Sequence, residues 1–144
     1  RRGAKASAPL RSVADIAAFV AGGTSIGEGG AAFQELVAAG RFRDFPFPAG
    51  GAFPPGLGRA VATTPSPDAA KATTPREAAR ELAAGRDQLL LFGLGPRGLP
   101  PEVLAGARHH LELTGKGISL ETATALGALP ALLSAHLEHL GGGA

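Results

Sequence analysis

Residues 93–98 read Gly93-Leu94-Gly95-Pro96-Arg97-Gly98, a GxGxxG spacing directly after the apolar run Leu89-Leu90-Leu91-Phe92. Glycines so spaced let a phosphate approach the backbone closely. Glu112 stands nineteen positions after Gly93, where an acid grips a ribose in dinucleotide-binding folds. The prolines argue against that use. Pro96 and Pro100-Pro101 interrupt the stretch where the fingerprint helix should begin and offer its amides. Only 46 residues follow Gly98, too few to complete such a fold. A dinucleotide-binding α/β protein is therefore an alternative and not the leading reading. Thr114-Gly115-Lys116-Gly117 fails the phosphate-loop pattern, because position 110 is histidine and position 117 is glycine.

Two charged residues flank these loops. Arg97, inside the glycine loop, is a cation for a substrate phosphate or carboxylate, and equally a solvated loop arginine. Glu121 falls in the first turn of an expected helix, where the dipole favours a carboxylate. It is also a candidate base, or a partner for a cationic ligand group. Thr63, Thr64, Ser119 and Thr122 offer hydroxyls at strand and helix ends, where such residues also serve as caps. His109 and His110 are neighbours on an expected strand and point to opposite faces. His136 and His139 share a helix face with no third ligand implied, so no metal site is expected. Phe42, Phe45, Phe47 and Phe53 lie near Arg41 and Arg43, a pattern of base stacking or of ordinary core.

The elements that must position these residues follow from periodicity and punctuation. Ser12 can cap a helix stopped at Gly22-Gly23, and a second helix is expected from about Glu28 to Ala39, with Phe33, Leu36 and Val37 inward and Gly40 ending it. Arg41 to Phe47 has extended spacing, and residues 48–59 read as loop. Ala60 to Thr64 is a short strand. Thr74-Pro75-Arg76-Glu77 is a capping box that starts a helix to about Ala84. Gln88 to Phe92 reads as a strand buried on both faces. Pro100 opens a short helix, His109 to Thr114 is another strand, and Ser119 caps a long apolar helix interrupted by Pro130. Its Leu132, Leu133, Leu137 and Leu140 fit a core stripe or a dimer seam. Strands alternating with helices predict α/β architecture: a mainly parallel sheet with helices on both faces. Ligands then sit at the carboxyl ends of the strands, here Thr63-Thr64, Gly93 to Pro100 and Thr114 to Ser119.

Composition bounds the function. The chain has 144 residues, 44% hydrophobic and 18% charged, enough to bury a core as one domain. Its 22 glycines and 12 prolines show no period, which excludes collagen-like sequence. The absence of cysteine excludes disulfides, thiolate metal sites and a cysteine nucleophile. No run of 18 apolar residues occurs, so no membrane partner is expected. A net charge of +2 permits an RNA partner without arguing for one. The chain opens on Arg1-Arg2 without methionine, and no strand is legible before Ser12.

Three segments carry a family resemblance: Val61-Ala62-Thr63-Thr64; Leu90-Leu91-Phe92-Gly93 with Gly98-Leu99-Pro100; and Ser119-Leu120-Glu121-Thr122-Ala123-Thr124-Ala125. In this order they resemble the "VAT" strand end, the "FGxExxGLP" loop and the "SLNLSNA" turn of the SPOUT methyltransferase superfamily. The similarity is strongest over residues 60–128. With Thr24 to Gly30 and Gly115 to Thr124 included, the whole chain resembles an uncharacterised archaeal branch of that superfamily.

The resemblance implies one domain over 1–144, with residues 60–140 forming a C-terminal trefoil knot and cofactor-binding half. It also implies a cytoplasmic homodimer that binds S-adenosylmethionine and methylates RNA. The cofactor residues implied are Thr63, Thr64, Gly93, Leu94, Gly95, Gly98, Thr114, Gly117, Ser119 and Thr122, with Leu99, Leu113, Ile118 and Leu120 as an apolar slot for adenine. Arg97 and Glu121 are the candidate catalytic residues. The motif acid falls on Gly95 and the motif Asn on Glu121, positions that help build the catalytic end in RNA 2′-O-methylating members. A catalytically inactive cofactor-binding or assembly protein of the same fold is thus a second reading.

Overall fold

The computed structural model describes residues 29–42 and 53–141, and the chain divides into two compact units, Arg1–Pro46 and Phe47–Ala144. In the first unit, helix α1 spans Gly29–Ala38. Gly40 (φ +65°) closes it: its N–H donates to Val37 O at 3.0 Å and the Arg41 N–H donates to Leu36 O at 2.9 Å, the Schellman pattern. Phe33 packs edge-on against Phe42 with ring centroids 4.9 Å apart. Leu36, expected inward, is 45% exposed. The helix expected at Ser12 and most of the extended stretch, Arg43 to Phe47, lie outside the described residues.

The second unit is an α/β layer. Strands β1 (Arg59–Thr63), β2 (Ala72–Thr73), β3 (Gln88–Leu91) and β4 (His109–Leu111) form an all-parallel sheet in the order β2-β4-β1-β3. Val61 of the central β1 is in register with Leu90 on one side and His109 on the other. Helices α2 (Pro75–Ala83), α3 (Pro101–Gly106) and α4 (Thr122–Gly141) complete the unit. Alternation along the strands sends successive side chains to opposite faces, and both are covered. Val61 and Leu111 pack with Ala78 and Ala79 of α2 and with Leu129 and Leu133 of α4. Ala60, Ala62 and Ala107 pack with Leu91, Leu99 and the α3 residue Leu104. Val61, Leu111 and Leu129 are the largest fully buried side chains, each worth about 1.5–3 kcal/mol of burial. The small alanines of α2 let it lie close on the sheet.

The capping box forms as the sequence predicts. Thr74 Oγ1 accepts from the Glu77 N–H at 3.2 Å, and Glu77 Oε2 accepts from the Thr74 N–H at 2.9 Å. The bonds that Glu77 Oε2 accepts from the Thr74 N–H and from the Thr74 hydroxyl (3.0 Å) hold the Glu77 carboxyl below its ordinary range.

Four features differ from expectation. The two-residue β2 carries too little apolar pattern to be legible; the Lys71 carbonyl before it accepts from the His110 N–H at 2.8 Å. Strand β4 stops at Leu111, because Glu112 and Thr114 bond to each other and turn the chain. Helix α4 starts at Thr122, three residues beyond Ser119. It also runs unbroken through Pro130; the carbonyl deprived of a donor belongs to Leu126, which is 50% exposed, so water can satisfy it.

Two polar anchors tie α3 and the β2 segment to the sheet. Lys71 Nζ donates to the carbonyls of Ala105 at 2.6 Å and Ala107 at 3.0 Å, a cation on the C-terminal end of α3. Buried His110 accepts from the Asp68 N–H at Nδ1 (3.1 Å), so Nε2 carries the proton and donates to Leu104 O at 2.8 Å. The histidine is a bridge inside the fold.

Candidate functional site

The carboxyl ends of β1, β3 and β4 open into one cleft, as parallel-sheet geometry requires. It is lined by Thr63, Thr64, Gly93, Gly95, Gly98, Leu113, Ile118, Ser119, Leu120 and Thr122, together with Pro65, Phe92, Pro96, Leu111, Glu112 and Ala125. The first ten are residues that the resemblance implies. Three segments separated by up to about sixty positions therefore converge on one place. The cleft encloses about 80 Å³, below the ~300–1,000 Å³ of sites that enclose a drug-sized ligand. It can hold part of such a ligand, with the remainder extending over its rim.

Two glycines explain the shape of the first wall. A Cβ on Gly93 would sit 2.6 Å from Gly98 Cα and 2.7 Å from Leu99 N, so the loop can fold back on itself only with glycine at 93. Gly98 has open space around it but φ +65°, a conformation that favours glycine. The Gly98 N–H closes the turn onto Gly95 O at 3.2 Å. The Thr122 hydroxyl then donates to Gly93 O at 2.7 Å and fixes the start of α4 to this loop.

The opposite wall is organised by Glu112 and Thr114. Glu112 Oε1 accepts from the Thr114 N–H at 2.9 Å and from its hydroxyl at 2.6 Å. Thr114 Oγ1 in turn accepts from the N–H groups of Lys116 at 3.1 Å and Ile118 at 3.2 Å. Partial burial pushes the Glu112 carboxyl up, but the hydrogen bonds from the Thr114 hydroxyl and from the backbone of Thr114, Gly115 and Gly117 outweigh it and hold the group below its ordinary range. An ionised carboxylate thus lines a cleft whose other lining residues are all uncharged. It can accept hydrogen bonds from hydroxyl or amino donors, or sit beside a cation.

The remaining expected contacts fall elsewhere. Leu94 is 86% exposed on the loop tip, and Leu99 packs into the core on the α3 face of the sheet. Thr114 and Gly117 shape the wall without lining it. Arg97 and Glu121 are exposed and outside the lining. The Thr63 hydroxyl donates to Leu91 O at 2.9 Å, and Thr64 Oγ1 accepts from the Ser66 N–H at 3.2 Å, so both are engaged in holding the strand ends. Pro65, Phe92 and Pro96 join the lining beyond the expected set; the signal that could find them is their place just after a strand or inside the glycine loop. For Glu112 the sequence offers only its spacing from Gly93.

The glycine loop reaches helix α3 only at Pro101, and α3 has six residues, which differs from the strand-turn-helix of a dinucleotide fingerprint. Among the described residues no group of three or more His, Asp or Glu side chains is placed to hold a metal ion, and no helix is long and apolar enough to cross a membrane.

Comparison with known proteins places the chain in a family. Residues 7–134 match the family described as protein of unknown function DUF531, and the chain belongs to it. It is 33% identical over 117 residues to "Uncharacterized protein MJ0224" of Methanocaldococcus jannaschii, an alignment covering 81% of this chain and 66% of that relative. The chain thus spans just under two thirds of that relative's length. No solved structure matches.

Proposed function

We propose that the protein is an S-adenosylmethionine-dependent methyltransferase of the knotted SPOUT class, acting on RNA as a homodimer. The observation that carries this reading is the convergence of the three resembling segments, 61–64, 90–100 and 119–125, on the cleft at the strand ends. The reading includes a trefoil knot in the C-terminal half and a cytoplasmic location.

The cleft's chemistry fits the cofactor. Backbone at Gly93, Gly95 and Gly98 allows close approach by adenosine, and Leu113, Ile118 and Leu120 supply apolar surface for a purine. Glu112 is an acceptor for ribose hydroxyls or a counter-charge for the ammonium or sulfonium end. S-adenosylmethionine supplies an electrophilic methyl group when bound. The chain's part is to orient the acceptor in line with that methyl and to take up a proton where the acceptor loses one. Arg97 and Glu121 stand at the rim, where they can meet an RNA phosphate or its reacting group once substrate covers the cleft. Leu94 (86% exposed), Ile118 (53%) and Leu126 (50%) are apolar side chains available to a second copy of the chain.

One observation favours a second reading. With neither Arg97 nor Glu121 in the lining, a protein that keeps the cofactor cleft and has lost catalysis fits the geometry as well. Radiolabelled methyl transfer to total RNA separates the two. Incorporation dependent on the protein supports the enzyme, and tight cofactor binding with no incorporation supports the inactive binder.

A further inference from the structure

The same sheet carries a second concavity. A groove of about 420 Å³ is lined by Arg59, Thr73, Arg80, Gln88, Arg108 and His109, among others. Arg59, Gln88 and His109 are the first residues of β1, β3 and β4. The groove therefore runs from the strand starts along the α2 face of the sheet to Thr73, and shares no lining residue with the Gly93 cleft.

The two carboxylates in its wall are already committed. Glu81 accepts from Arg86 Nε at 2.5 Å, from Arg86 Nη2 at 2.7 Å and from Arg59 Nη1 at 3.0 Å. Glu77 is locked in the capping box with Thr74. Among the described residues the ion pairs involve Arg59, Arg86 and Glu81, and none engages Arg80 or Arg108; Arg80 acts only at longer range, helping to hold Glu77 ionised. A further group waits for a partner. Gln88 Nε2 donates to Ala78 O at 3.0 Å, while its Oε1 is buried without a hydrogen bond among the described residues. A buried acceptor left unpaired is unfavourable and is relieved by a ligand donor.

We propose that this groove binds a ribonucleotide unit. Arg80 and Arg108 take the phosphate oxygens, as guanidinium forks do, and the half-buried Gln88 side chain turns its now-buried Oε1 into the groove to accept from a sugar hydroxyl. The volume suits one such unit, falling within the ~300–1,000 Å³ of small-ligand sites. The unit can arrive as a free ribonucleotide or as one link of an RNA chain, and the two share this chemistry.

The test uses the whole chain without S-adenosylmethionine. Binding of UMP, inorganic phosphate, U10 and dU10 is measured by calorimetry or fluorescence anisotropy over a range of salt. Binding of U10 well above UMP assigns the groove to RNA, and equal affinity per site assigns it to a free nucleotide; either supports the proposal. The exposed Arg80→Ala, Arg108→Ala double variant, checked for fold by circular dichroism, is expected to bind at least about tenfold more weakly. Its salt slope on U10 is expected to fall by about 0.7, the contribution of the one phosphate that the two arginines no longer neutralise. Unchanged affinity in that variant, or no binding of UMP or U10, overturns the proposal. Inorganic phosphate binding as tightly as UMP also overturns it, and dU10 matching U10 overturns the Gln88 contact. The methyltransferase reading fails separately, through the absence of S-adenosylmethionine binding in the Gly93 cleft.

Discussion

The Thr122 hydroxyl donates to the carbonyl of Gly93 at 2.7 Å across 29 positions of sequence. This bond joins the start of α4 to the glycine loop, two of the three segments that make the cleft. Thr122→Val keeps the shape and removes the donor, leaving the Gly93 carbonyl without it. The expected loss is about 0.5–1.5 kcal/mol in denaturant unfolding, with weaker ligand binding in the cleft. Thr122→Ser restores both, whereas equal behaviour of the valine and serine variants would show that the bond positions nothing.

Gly93 and Gly98 are glycines for different reasons, and substitution separates them. Gly93→Ala drives a methyl group into the backbone of Gly98 and Leu99, so the loop must open at a cost of about 1–3 kcal/mol. Gly98→Ala meets open space and costs only its left-handed φ, about 1–2 kcal/mol. Ligand affinity is expected to collapse in the first variant and to fall modestly in the second. Calorimetry on both variants checks the order.

Glu112 is held below its ordinary value of 4.5 in the folded protein. A depressed folded pKa contributes stability that is present above the unfolded pKa and is lost as pH falls through the folded value. Glu77 acts in the same direction. The chain is therefore expected to lose stability as pH drops below about 4.5. Glu112→Gln should be less stable than the parent near neutrality, and the gap should narrow in acid. A gap of the same size at both ends of the pH scale would contradict the assignment.

His110 is buried and bridges Asp68 N and Leu104 O. His110→Phe leaves both groups without their partner, at about 1–3 kcal/mol for each that water cannot reach. Thermal unfolding is expected to register the loss, while ligand binding in the cleft changes little, because the ring lies outside the lining.

Where a local rule and a tertiary contact agree, the sequence is enough. Thr74 to Glu77 spell a capping box and form one, and the run Leu89-Leu90-Leu91 becomes a strand, though at the edge of the sheet it is half-buried and not buried on both faces as its unbroken apolar run predicts. Gly40 ends α1 by the hydrogen bonds its conformation allows. The departures sit where side chains overrule periodicity. Leu113 continues the apolar alternation of β4, yet the Glu112–Thr114 bonds turn the chain there. Ser119 has the character of a helix cap, but the helix waits for Thr122, whose hydroxyl bonds back to Gly93. Much of the cleft is legible because its glycines and hydroxyls follow strand ends. Glu112 is harder to place, since its charge is held by Thr114 and loop amides that no spacing rule connects to it. That Arg97 and Glu121 are exposed and outside the lining follows from the turn around Gly95 to Gly98 and the late start of α4, which no spacing rule fixes.

Titration calorimetry with S-adenosylmethionine, its demethylated product and NAD bears most directly on the proposed function. Binding of S-adenosylmethionine and its product at one site per chain, weakened in Glu112→Gln and lost in Gly93→Ala, is the expected result. Tight binding of NAD with no response to the other two would contradict it.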